Sequence, residues 1–174
     1  KKIAIIVCDS GLGHLVRCVK IANKLCESEH EVTLFCNISK LKKIKIKVNN
    51  KLFFKKFISG HDKDLNFKNY NYNCADKLPD LKKFDLIVSD NLLETLEKYP
   101  KSILIANFFW HKVIKNFKNY KKNQDLLKKY KPLIICNKYV AHGYVNYFKN
   151  VRQVGFFSEF KKNKKKKKKI LLIS

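Results

Sequence analysis

Hydrophobic residues along this chain fall into short runs, separated by polar stretches and by segments of helical period. Ile3, Ala4, Ile5, Ile6, Val7 and Cys8 run without alternation, as a strand buried on both faces of a parallel sheet does. From Leu15 the apolar positions recur at Cys18, Val19, Ala22, Leu25 and Cys26, with Lys20, Asn23, Lys24 and Glu27 opposite. That spacing predicts an amphipathic helix. Between the two lies Asp9-Ser10-Gly11-Leu12-Gly13, a tight turn in which glycine permits positive φ and close approach of a ligand. The free N–H groups of the first helical turn then face whatever sits above the strand.

The same pattern continues downstream. Strands are predicted at Glu31 to Cys36, Lys51 to Ile58, Phe84 to Ser89 (closed by Asp90), Ser102 to Phe108 and Pro132 to Asn137. Ser39 to Lys47 reads as a loop or short helix, and residues 59–80, polar and without period, as a long loop. Helices are expected at Leu92 to Tyr99, Phe109 to Tyr120, Asp125 to Lys131 and around Ala141 to Phe148, and a short extended piece at Val151 to Phe157. Strands alternating with helices predict an α/β fold, a Rossmann-like parallel sheet flanked by helices. Ligands of such sheets bind beyond the carboxyl ends of the strands. Asp9 to His14, Asp90 with Asn91, and Asn107 to Trp110 all follow strand ends, so they are expected on one rim.

Length and composition bound the rest. The 174 residues, 45% hydrophobic and 13% aromatic, suffice for one well-buried domain, expected over residues 1–158. Residues 159–169, EFKKNKKKKKK, read as a lysine-rich linker. Residues 170–174, ILLIS, look like the first strand of a second domain that the chain stops just inside. The lack of any methionine suggests a start that is not the native one. No run approaches the roughly 20 apolar residues of a membrane span, and no secretory signal is evident. The six cysteines form no C-x-x-C pair, which fits a reduced, cytoplasmic setting. The net charge of +25 rests on lysine, with only Arg17 and Arg152 as arginines. Base-reading proteins favour arginine, so specific nucleic-acid binding is not expected. A peripheral contact at the inner face of an anionic membrane would follow from the charge.

Candidate chemistry gathers on the predicted rim. His14 is the side chain suited to exchange a proton near neutrality, or else a helix-start residue bonding locally. Asp90 is either the cap of the helix that follows it or the partner that orients His14 as a general base for a hydroxyl. Gly11 and Gly13 lack a third glycine, since Val16 stands there, and no P-loop pattern is present. Arg17 lies one turn beyond His14 and could meet an anion, or simply be solvated. Asn107, Phe108, Phe109, Trp110 and His111 either line a groove or belong to the core. His30, His61 and His142 show no metal-type spacing, and no metal is predicted.

At this point "GLGHLVRCVKIANKL", "EVTLF", "FDLIVSDNLLE" and "ILIANFFWHKV" together resemble the N-terminal domain of GT-B glycosyltransferases, those related to lipid-linked and UDP-sugar enzymes. The resemblance covers residues 2 to 115 well and the remainder loosely. It implies two Rossmann-like domains, the first binding mainly the acceptor and the second mainly the nucleotide-sugar. By resemblance His14 is the general base and Asp90 its orienting partner. Gly11, Gly13, Arg17, Asn91, Asn107 and Trp110 are the candidate substrate-binding residues. The implied co-substrate is a nucleotide-sugar such as a UDP-sugar, with no cofactor held by this domain. The implied acceptor is a sugar, a lipid-linked sugar or another small molecule. The donor domain would be supplied in cis or as a subunit. "GHLVRC" also resembles the nucleotide-sugar hydrolases of nonulosonic acid biosynthesis, in which the histidine would activate water. A third reading is a non-catalytic lysine-rich module that binds membranes or polyanions.

Overall fold

The computed structural model describes residues 1–60, 73–113, 120–141 and 148–155. Its centre is β1 (Lys2–Val7), whose side chains alternate between two cores. Ile3, Ile5 and Val7 pack with Leu15, Cys18, Val19 and Ala22 of helix α1 (Leu12–Glu27) on one face. Ala4, Ile6 and Cys8 meet Phe35, Leu78, Leu81 and Leu92 on the other. This two-sided burial is why the opening run is apolar without alternation.

Outward on one side lie β2 (Glu31–Cys36) and β3 (Leu52–Lys56). On the other side lie β4 (Leu86–Asp90), β5 (Ile103–Ile105), β6 (Ile134–Asn137) and β7 (Val151–Val154). The order is β3-β2-β1-β4-β5-β6-β7, and every neighbouring pair is parallel. Besides α1, the α-helices among the described residues are α2 (Ile38–Leu41), α3 (Thr95–Lys98), α4 (Trp110–Val113) and α5 (Tyr120–Tyr130). The expected α/β architecture, a Rossmann-like parallel sheet flanked by helices, is present.

Boundaries moved where tertiary contacts overrode local pattern. The fifth strand stops at Ile105 rather than Phe108, because Asn107 turns its carbonyl oxygen to accept from the Asn137 backbone N–H (2.9 Å) instead of extending the ladder. The helix expected from Leu92 narrows to Thr95–Lys98, since Asn91 adopts φ 57° and breaks the chain first. The helix expected from Asp125 begins at Tyr120, its buried side carried by Asn123 and Leu127. Of the helix expected over 109–120, Trp110–Val113 forms and residues 114–119 lie outside the described residues. Ala141 and Phe148 are not helical, and the segment between them, like 61–72, the linker expected at 159–169 and the strand expected at 170–174, lies outside those residues.

Candidate functional site

Successive connections run from β1 out to β3, and the chain then returns to place β4 beside β1. The loops leaving β1 and β4 therefore diverge, opening a crevice at a topological switch point. The register sets Val7 opposite Asp90, so the end of β4 emerges next to the turn that launches α1. Gly11 makes that turn at φ 79° and ψ 171°, a conformation closed to most side chains. No side chain caps α1 and no acidic residue occupies its first turn. Its N–H groups and positive dipole end thus stay directed at the rim.

His14 and Arg17, one turn apart on α1, converge on Asp90. The His14 Nδ1 lies 2.7 Å from Asp90 Oδ2, and the Arg17 guanidinium donates to Oδ1. Asp90 is completely buried, whereas the His14 and Arg17 side chains keep 15% and 21% exposure. An enclosed carboxylate is costly unless paired. Arg17 supplies the balancing charge here, so the ring need not. Burial works against the Arg17 charge, but the Asp90 carboxylate outweighs it and holds the guanidinium above its ordinary value. With Asp90 accepting at Oδ2, Nδ1 carries the ring proton and Nε2 is the remaining acceptor. The 3.2 Å approach of Arg17 to the same Nδ1 is then packing between two donors. The alternative role for Asp90, capping the next helix, is not adopted: α3 starts at Thr95, preceded by Glu94 with no side-chain cap.

Beside this cluster a cleft of about 400 Å³ runs along the carboxyl ends of β5, β6 and β7. Gly13, Val16, Arg17 and Lys20, spaced i, i+3, i+4 and i+7 on α1, form one wall with His14. Asn107, Asn137, Cys136, Val140 and Val154 contribute to the opposite side. Asn137 is occupied structurally, accepting from Tyr139 N–H (2.8 Å) and donating to the Gly155 carbonyl (3.4 Å). Cys136 is 1% exposed, and burial raises its thiol, so it presents no thiolate.

Of the residues singled out from sequence, His14, Arg17, Gly13 and Asn107 border this cleft. Gly11 shapes the turn but does not line it. Asn91 and Trp110 instead pair with each other. The Asn91 amide, in its satisfied orientation, donates to the Phe108 carbonyl (2.7 Å) and accepts from Trp110 Nε1–H (3.1 Å). The Trp110 ring packs edge-on against Phe108, 4.8 Å between centroids. Phe109 and His111 are buried, stacked at 5.8 Å.

Lys20 and Asn137 were not singled out from sequence. Asn137 carried a readable signal, being a polar residue that ends an apolar strand, as Asp90 does. Asp9 was placed on the rim but its role was not legible. It is buried, and its carboxylate accepts from Ser59 Oγ and from the Gly60 N–H (3.2 Å), tying the end of β1 to the chain after β3. Glu94 is buried as well, and desolvation, reinforced by Glu97, pushes its carboxyl up to about 7. Burial likewise raises the thiols of Cys8 and Cys74, and that of Cys36 to about 12. Among the described residues no three His, Cys, Asp or Glu side chains gather around a metal position. None of the described helices is long and apolar enough to cross a membrane.

No protein-family model matches the sequence, and no curated protein matches it. Among solved structures the chain is similar to Arabidopsis thaliana UGT89C1 complexed with UDP-L-rhamnose, with TM-score 0.51 and 14% identity. The match covers 91% of this chain and 53% of that one, so the chain spans about half the length of the similar protein. At this identity the likeness concerns the fold: the sheet and its helices match one Rossmann-like half of a GT-B architecture.

Proposed function

We propose that the chain is the acceptor-side domain of a sugar transferase of the GT-B kind, using a nucleotide-sugar such as a UDP-sugar as co-substrate. The observation that carries this reading is the 2.7 Å His14–Asp90 contact at the switch point, bordering a cleft of substrate size. The bound ligand of the similar solved structure, UDP-L-rhamnose, supports the choice of co-substrate class. In this reading the acceptor hydroxyl meets Nε2 of His14, which takes the proton as the oxygen attacks the anomeric carbon of the donor. The donor's glycosidic bond to the diphosphate breaks, and the nucleotide departs with the bonding pair. Asp90 fixes the ring with Nδ1 protonated and stabilises the imidazolium that forms. Arg17 keeps the Asp90 carboxylate oriented between the two donors. The donor is bound by a second domain, in cis or as a subunit, and Gly11 and Gly13 let the α1 turn come close to both substrates.

The test is sugar transfer from a panel of UDP-sugars by the full-length protein and its His14→Ala variant. Transfer is expected to fall by at least about 100-fold with an unchanged circular dichroism spectrum. Near-normal transfer by the variant overturns the base assignment. Nucleotide release without any acceptor, equal to that with one, favours the hydrolase reading instead.

A further inference from the structure

The charges and donors of the cleft say more about its occupant than the histidine does. Arg17 and Lys20 both line it, and among the described residues no Asp or Glu side chain does. Asp90 engages Arg17 through Nη2, and the Arg17 side chain, 21% exposed, also borders the cleft. Lys20 makes no ion pair to any described carboxylate. Asn107 uses its carbonyl oxygen on the Asn137 backbone, which leaves its amide N–H₂ as a third donor. The uncapped, acid-free start of α1 adds a favourable potential of the same sign. A wall of donors and positive charge faces apolar Val140 and Val154 across a space of small-molecule size.

We infer that this cleft takes a sugar-sized acceptor carrying an anionic group, a phosphate or a carboxylate, bound by Arg17 and Lys20, with Asn107 donating to its oxygens. The inference rests on the transferase reading, which makes the occupant an acceptor. Charge-assisted hydrogen bonds of this kind discriminate strongly between charged and neutral versions of one ligand.

Binding of glucose 1-phosphate, glucuronate, glucose and UDP to the full 174-residue chain is measured by calorimetry. The wild type is compared with Lys20→Glu and with Lys128→Glu, which makes the same charge change on exposed α5. At least one anionic sugar is expected to bind about 10-fold tighter than glucose, and Lys20→Glu to lose most of that gain. Lys128→Glu is expected to keep it, and added salt to weaken binding. Equal affinity for glucose and both anions overturns the inference, as does an equal loss in both variants. UDP binding more tightly than either sugar assigns the charge to the donor and overturns it too. Transfer by the full-length protein to neutral sugars, without anion binding here, removes this inference and leaves the transferase reading standing. Anion binding sensitive to Lys20 without any transfer removes the transferase reading and not the anion site.

Discussion

Replacing Arg17 with alanine tests how the charge of Asp90 is balanced. The variant leaves a carboxylate with no exposure facing one imidazole, the guanidinium that donated to Oδ1 being gone. Stripping one partner from a buried ion pair costs about 3 to 5 kcal/mol. Arg17 is itself 21% exposed, so water can enter the space it vacates and the lower end applies. The expected loss is about 3 kcal/mol. Urea unfolding of wild type and variant under the same conditions reads this directly. Adding Asp90→Asn removes the stranded charge, and the double variant should be more stable than Arg17→Ala alone. A loss below about 1 kcal/mol would be that of a surface pair. That result, or no rescue by Asp90→Asn, refutes the reasoning.

Two further expectations concern other parts of the molecule. Glu94, raised from 4.5 to about 7 by burial, binds its proton more tightly when folded, so stability falls as pH rises through that window. His111, lowered from 6.5 to about 4 by burial and Lys112, is the reverse: stability is lost as pH falls from 6.5 through 4. Each slope amounts to about 3 kcal/mol and they oppose each other where they overlap. Glu94→Gln should therefore unmask the acid-side loss, and His111→Phe the loss on the neutral side. Flat stability profiles for both variants would refute the two shifts. At the α1 turn, Gly11→Ala meets open space but a φ of 79°, and should destabilise by about 1 to 2 kcal/mol. Gly13→Ala, helical with nothing within 4 Å of its added carbon, should stabilise by about 0.5 to 1 kcal/mol while crowding the cleft. Thermal melts of the two variants check both signs, and melting points shifted in the same direction refute the contrast.

The pattern of apolar runs was enough for the alternation of strands and helices, because each is written in nearest-neighbour periodicity. Ile3 to Cys8 shows it: a run with polar atoms on neither face has only a two-sided core to occupy. The rim was legible for a related reason. His14 follows a glycine turn and Asp90 ends an apolar strand, and in a parallel sheet both positions fall on the same edge. Local pattern could not supply lateral order. The Val7–Asp90 register, which brings residues 76 positions apart into a 2.7 Å contact, exists only because β4 returns beside β1. Arg17 was readable as a nearby cation, but its use as the second partner of Asp90 depends on that return. Asn91 and Trp110 show the opposite outcome. Their position after strand ends suggested substrate contact, and tertiary packing gave them to each other, because a left-handed turn at Asn91 aimed its amide at the loop after β5. Chemistry carried by a single strand end was thus set by sequence. Which ends meet, and which polar groups are left over for a ligand, was decided by the order of strands in the sheet.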